Sequence, residues 1–324
     1  MTKYFATFAC AAFVFATGGQ FASASVFTGT LYYTHYTGGQ NVWSVDYSYN
    51  DATHSVSLTN NQNLASVNGA DGIIFAPNGN LLVGGQTNPN VHELTKTGTF
   101  VTDHSTNGEQ SYHLALSPDG KTVYTSNFGG SLVSIVLAGG TTVSSVTGDD
   151  SGVTQLAFAN GKVFYDVGSP NGYGNAGIYD LATNTTTRTV SGQQAVHGMV
   201  YDSYTGKITF FGAGAVGTMS AVDGSGFTQT DLGYGDFDQG SPDGKGHAFI
   251  AGHDSITFVD YSLSHDITNP DYSISIGGFY GIDDLSPLSG LGSNPVPEPS
   301  SLFVLGMCGI GLAVGACRRC RTES

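Results

Sequence analysis

Ser117-Pro118-Asp119-Gly120-Lys121-Thr122-Val123-Tyr124 is a tight turn followed at once by an alternating strand. The Asp-Gly pair supplies the positive-φ position a hairpin needs, and the alternation behind it gives one face to pack and one to hydrate. A short strand, residues 112–116, leads into the turn, and residues 131–136 give a third strand after Gly129 and Gly130. The same order of parts recurs. Residues 71–79 lead into 80–84 and 90–95, and residues 153–161 into 162–166 and 176–180. Residues 196–206 lead into 207–211 and 218–222, and residues 234–244 into 246–250 and 255–259. The turn glycines of these units are Gly79, Gly120, Gly161, Gly206 and Gly244, with spacings of 41, 41, 45 and 38. A repeat of about 42 residues holding about four strands is the unit of a β-propeller blade.

Outward from the repeats, the two ends explain each other. Residues 30–36, 41–47 and 55–59 are β-branched and aromatic runs with no first strand before them, while residues 280–287 give a first strand with nothing after it. The sequence therefore predicts an all-β, six-bladed propeller over residues 25–290, closed by pairing the C-terminal strand with the N-terminal blade. Closure of this kind protects sheet edges. A seven-bladed ring, a β-sandwich and a β-helix are the competing arrangements. Residues 291–295 read as a short linker rich in turn formers.

The charge balance narrows the partners. The chain has 25 acidic residues against 10 Lys and Arg, a formal net charge of −15. Between residues 25 and 299 the Lys and Arg residues are Lys96, Lys121, Lys162, Lys207, Lys245 and Arg188. Such an acidic surface repels phosphate backbones, which argues against nucleic acid as a partner. The cysteines lie toward the ends, at Cys10, Cys308, Cys317 and Cys320, so the body has neither a disulfide nor a thiol nucleophile.

Lys3, an apolar run over residues 4–16 and the small-residue site Ala22-Ser23-Ala24 read as a signal peptide over residues 1–24, removed by signal peptidase. At the other end Val296-Pro297-Glu298-Pro299 precedes a 17-residue uncharged run, residues 301–317, and then Arg318, Arg319 and Arg321. Apolarity over that length and a basic stop behind it predict a transmembrane helix. Proline on both sides of Glu298 keeps that segment extended.

Together, residues 296–324 resemble the PEP-CTERM sorting domain of Gram-negative bacteria. The resemblance implies export, a precursor anchored transiently in the inner membrane, an exosortase as partner, and cleavage at or near Pro297-Glu298-Pro299. It also implies a final place at the cell surface or outside the cell, beside exopolysaccharide or surface proteins. The body is similar to bacterial propellers with Ser-Pro-Asp-Gly-Lys turns, related in form to lactonase-like and surface-layer repeat proteins. Residues 117–124 are the clearest copy and residues 241–245 the second. That motif specifies a turn and carries almost no functional information.

The first strands of propeller blades line the central channel. The polar residues on them are Asp71, His113, Gln155, His197, Asp236, Asp238, Asp283 and Asp284. Histidine beside carboxylate binds divalent metal or runs general acid–base chemistry, and Asp71, His113, His197, Asp236 and Asp283 are the narrowed candidates. A water-filled channel has polar walls in any case, and His113 and His197 show no regular ligand spacing. Gly252-His253-Asp254 reads as a turn. Asp149, Asp150 and the acidic loops offer oxygen ligands to Ca2+, without a twelve-residue binding loop; no other cofactor is expected. Tyr32, Tyr33, Tyr36 and Tyr173 are candidates for a sugar-stacking surface. No nucleophile elbow, phosphate loop or dinucleotide fingerprint is present. The first expectation is an exported binding or structural module, and the alternative is a metal-dependent, lactonase-like hydrolase. Convergence of the five candidates on one point favours the alternative.

Overall fold

The Ser117 turn closes on its own polar side chains. Ser117 Oγ donates to Asp119 Oδ1 (2.7 Å), the Lys121 amide donates to the same oxygen (3.1 Å), and the Thr122 amide donates to Ser117 Oγ (3.0 Å). Gly120 has φ +70°, and a Cβ there would stand 2.7 Å from the Pro77 ring. The four other turn glycines of the repeat are left-handed too. The computed structural model describes residues 26–288, apart from 37–38, 87, 128–130, 146–152, 168–172 and 195–196.

Twenty-four strands make six antiparallel sheets of four. The first blade holds β1 (Val26–His35), β2 (Val42–Asn50) and β3 (Ser55–Ala65), and the second β4 (Ile73–Phe75), β5 (Leu81–Gly84), β6 (Asn90–Leu94) and β7 (Phe100–Ser105). The third comprises β8 (Leu114–Leu116), β9 (Thr122–Ser126), β10 (Ser131–Val136) and β11 (Thr141–Ser145). The fourth comprises β12 (Val153–Ala159), β13 (Lys162–Val167), β14 (Tyr173–Asp180) and β15 (Thr185–Gln194). The fifth has β16 (Gly198–Asp202), β17 (Lys207–Gly212), β18 (Ala215–Ser220) and β19 (Thr228–Asp231). The sixth has β20 (Phe237–Pro242), β21 (His247–Gly252), β22 (Ser255–Asp260) and β23 (Tyr272–Gly277). The last strand, β24 (Ile282–Leu285), returns to the first blade, where Tyr33 faces Leu285 and His35 faces Ile282.

The core is divided among the blade interfaces. Adjacent residues of one inner strand face opposite neighbours: Ile73 packs with Tyr32 and Val42 of the first blade, and Ile74 with Leu114 and Val123 of the third. Phe164, Met199 and Phe210 fill the junction of the fourth and fifth blades, and Phe211, Phe237 and Tyr261 that of the fifth and sixth. Tyr33, Tyr49, Phe249 and Phe258 join the sixth blade to the first. Pleating explains this, because successive side chains of a strand point to opposite faces.

Two sequence expectations need correction. No sheet is closed: the pairing of β24 with β1 completes a four-stranded blade, and the blades meet through side chains rather than through a continuous backbone ladder. The reason is geometric, since each sheet stands edge-on to the channel and its outer strand faces solvent. The second correction concerns the membrane. Among the described residues no helix is long and apolar enough to cross one. The expected transmembrane helix over 301–317, with its basic stop at Arg318, Arg319 and Arg321, lies outside the described residues. With no spanning helix among the described residues, the sorting helix and the inner-membrane-anchored precursor have no support in the structure and are set aside. The signal-peptide and linker expectations also fall outside the described residues.

Candidate metal centre in the channel

Each blade offers one or two polar side chains at the same place on, or just before, its inner strand. Asp71, His113, Gln155 and His197 follow one another at intervals of 42 residues, one per blade. Asp238 and Gln239 take the position in the sixth blade, and β24 brings Asp283 and Asp284 in the first. These side chains converge. His113 Nδ1 donates to Asp284 Oδ2 at 2.8 Å and stands 3.4 Å from Asp71 Oδ1. His197 Nδ1 is 3.4 Å from Asp238 Oδ1. Asp283 lies close enough to Asp71 and Asp238 for the three carboxyls to act on one another. Two ligand sets result, His113–His197–Asp238 and Asp71–His113–Asp284, each with its donor atoms within 4.8 Å of one another.

Backbone bonds fix this geometry. Thr34 Oγ1 donates to the Asp71 carbonyl and accepts from the Asp284 amide, so one hydroxyl ties the inner strands of two blades. Ser286 Oγ accepts from the Tyr32 amide, and Ser241 Oγ donates to the Leu285 and Ser286 carbonyls. Gln86 Nε2 holds the other oxygen of Asp71 at 3.2 Å.

The electrostatics are lopsided. Asp71, His113, Asp238, Asp283 and Asp284 are buried, and among the described residues no Lys or Arg pairs with any of these carboxylates. Burial works against a charged His113, but Asp284 and Asp71 outweigh it and raise the imidazole to about 10. Burial, and then repulsion from His113, pushes His197 down to about 4. Burial lifts Asp238 and Asp283 well above the carboxylate range, and neighbouring carboxylates add to both. Asp71 is raised by burial and by Asp284 against the pull of His113. Asp71 Oδ1, Asp238 Oδ1, Asp283 Oδ2 and Asp284 Oδ1 are buried without a hydrogen-bond partner. An unmet buried acceptor costs about 1–3 kcal/mol, and four on one axis form the donor set a cation would complete. The residues present therefore fit a divalent ion.

Tyr36, His197, Asp236, Phe237, Asp238, His253, Ile282 and Asp283 line a cavity of about 350 Å3 at the channel mouth. A second cavity, about 40 Å3, lies between Ile74, Leu114, Ala157, Met199 and Leu285.

Of the five narrowed candidates, Asp71, His113, His197 and Asp283 meet in the cluster, whereas Asp236 does not. Its Oδ1 accepts from the Ala213 amide (3.1 Å), which holds it at the rim. Asp238 and Asp284, among the eight channel residues but outside the narrowed five, complete the cluster. The 42-residue register running through 71, 113, 155 and 197 is the signal that defines the ring; the two histidines are two blades apart. The aromatic set divides as well: Tyr32 and Tyr33 are core residues and Tyr36 is exposed at the mouth. Asp149, Asp150, the sorting residues 296–299 and the side chain of Tyr173 lie outside what is described.

Residues 295–319 match the PEP-CTERM protein-sorting motif. No curated protein sequence matches the chain. Among solved structures, a nidogen/laminin complex aligns over 81% of this chain and 99% of its own, at 10% identity and a TM-score of 0.62. Virginiamycin B lyase from Staphylococcus aureus aligns over 78% and 89%, at 9% identity and 0.53. A streptogramin B lyase aligns over 64% and 69%, at 14% identity and 0.52. Likeness at such identities concerns the fold alone. The chain is a six-bladed β-propeller that carries a PEP-CTERM protein-sorting motif.

Proposed function

We propose that the channel binds a divalent cation and that the propeller is a cation-dependent enzyme acting on the carbonyl of a small uncharged ester or lactone. The observation that carries this reading is the group of buried, unpartnered carboxylate oxygens beside two imidazoles. His113, His197 and Asp238 would hold the ion, a mixed nitrogen and oxygen set that suits Zn2+ or Mn2+ better than Ca2+. Bound there, a cation polarises a carbonyl oxygen presented from the mouth. His197 is neutral near pH 7 and need lose no proton to ligate, whereas His113, raised by Asp284 and Asp71, would give up its added proton as the cation binds. The cavity wall has three carboxyls and no Lys or Arg, which disfavours anionic ligands. The lyase names of two structures of like fold support a catalytic use of the channel over a purely structural one.

Titration of EDTA-treated protein with ZnCl2, MnCl2 and CaCl2, followed by melting temperature, tests the reading. A cation at 100 times its dissociation constant adds about 2.7 kcal/mol. The rise is expected with Zn2+ or Mn2+ in the native protein and absent in a His197→Ala/Asp238→Asn variant. No shift with any of the three ions refutes the site.

The sorting motif supports a second component of the role. In this reading an exosortase processes the protein after export and signal peptidase removes residues 1–24, leaving the propeller at the cell surface or beyond, near exopolysaccharide.

A further inference from the structure

The segment Gly252-His253-Asp254 joins β21 to β22, and its place at the channel mouth gives it more than a turn's work. His253 Nδ1 is 2.9 Å from Asp254 Oδ1, and its Nε2 is hydrogen-bonded to the Tyr36 hydroxyl, which comes from a residue 217 positions away. With the Nδ1 proton on Asp254, Nε2 is left as the acceptor for the tyrosine proton. Backbone bonds hold both partners: the Tyr36 amide donates to the Gly281 carbonyl (3.3 Å), and the Ile282 amide to the His253 carbonyl (3.2 Å). Tyr36 and His253 line the same cavity as His197 and Asp238. Nothing in the core requires this arrangement, since Tyr36 is 43% exposed and the side chains of His253 and Asp254 are 46% and 69% exposed.

We infer that Tyr36, His253 and Asp254 form a proton relay facing the channel ligand, with Tyr36 the group that exchanges a proton and the other two positioning it. As a ligand proton leaves, Tyr36 Oη accepts it while its own hydroxyl proton passes to His253 Nε2. Asp254 holds the resulting imidazolium through Nδ1–H. One proton moves from ligand to His253, and the reverse path returns it. Burial and the nearby Tyr280 and Asp283 push the Tyr36 hydroxyl above its ordinary value, so it rests protonated and depends on His253 to act. The ligand class is an uncharged, hydroxyl- or carbonyl-bearing molecule. Its catalytic use rests on the cation reading; the relay itself does not.

Metal-free protein is treated with N-acetylimidazole, and the acetylation rates of Tyr36 and Tyr280 are compared by peptide mass spectrometry. Tyr280 is the internal control because it is more exposed, at 66%. A general base contributes ~100-fold or more when well placed, so Tyr36 is expected to react at least about tenfold faster, with the advantage lost in His253→Gln and reduced in Asp254→Asn. Equal rates, or an advantage that survives His253→Gln, overturn the relay. With Zn2+ or Mn2+ present and p-nitrophenyl acetate as probe, His253→Gln is expected to lower kcat at unchanged KM and unchanged cation affinity. Unchanged kcat in that variant overturns the catalytic use. Selective Tyr36 acetylation without any turnover by native protein sinks the cation-enzyme reading and leaves the relay standing.

Discussion

His247 shows how a single side chain carries pH dependence away from the channel. Its Nδ1 is 2.8 Å from Asp243 Oδ2, and Asp243 Oδ1 accepts from the Lys245 and His247 amides. Burial disfavours the imidazolium, but the Asp243 hydrogen bond and the charges of Asp243 and Asp260 outweigh it and raise the pKa. A group raised on folding stabilises fully below its unfolded value, near 6.5, and loses that contribution as pH climbs through the folded value. Asp243→Asn should therefore cost about 1–2 kcal/mol at pH 6, a few degrees of melting temperature, and progressively less at higher pH. A melting difference that grows between pH 6 and pH 9 contradicts the assignment. At this scale the sequence was half legible. The positions of Asp71, His113 and His197 on inner strands followed from the repeat. The choice between Asp236 and Asp238, or Asp283 and Asp284, depends on which face of a pleat meets the axis. His253 was hidden because its partner, Tyr36, is distant along the chain and no local pattern joins them.

The two Ser-Pro-Asp-Gly turns show one element serving two ends. In the third blade Ser117 Oγ closes its own turn. In the sixth, Ser241 Oγ instead donates to the carbonyls of Leu285 and Ser286, the end of β24 and the residue beyond. Each lost bond is worth about 0.5–1.5 kcal/mol. Ser241→Ala is expected to raise amide hydrogen exchange over residues 282–286, whereas Ser117→Ala raises it only around residues 117–122. Equal protection of residues 282–286 in both variants argues against the tie. Glycine spacing made the turns readable and hence the blades. It says nothing about which serine hydroxyl is spent locally and which reaches the neighbouring blade, because the motif is identical at both sites.

Across the whole molecule, cohesion comes from six interface clusters of similar make rather than from one centre. Phe211 is buried between the fifth and sixth blades, where the absent side chain of Gly240 admits its ring; a Cβ there would lie 2.2 Å from it. Phe211→Ala should cost about 3–5 kcal/mol. Because every blade leans on two neighbours, the loss should lower a single calorimetric transition; a separate early transition of one blade contradicts shared stability. Blade number and the meeting of the two ends were legible from period and leftover strands. The membrane-spanning tail rests on apolarity alone, and among the described residues no helix is long and apolar enough to span.

The return of β24 to the first blade has a bearing on biosynthesis. Asp283 and Asp284 ride on that strand, so a growing polypeptide carries both channel histidines before two of the four carboxyls around them have been made. Translation runs from the amino to the carboxyl end, and a chain interrupted before residue 282 lacks both a finished first blade and half of the channel's acid groups. The finished first blade and the full set of channel carboxyls thus arrive in the same four residues.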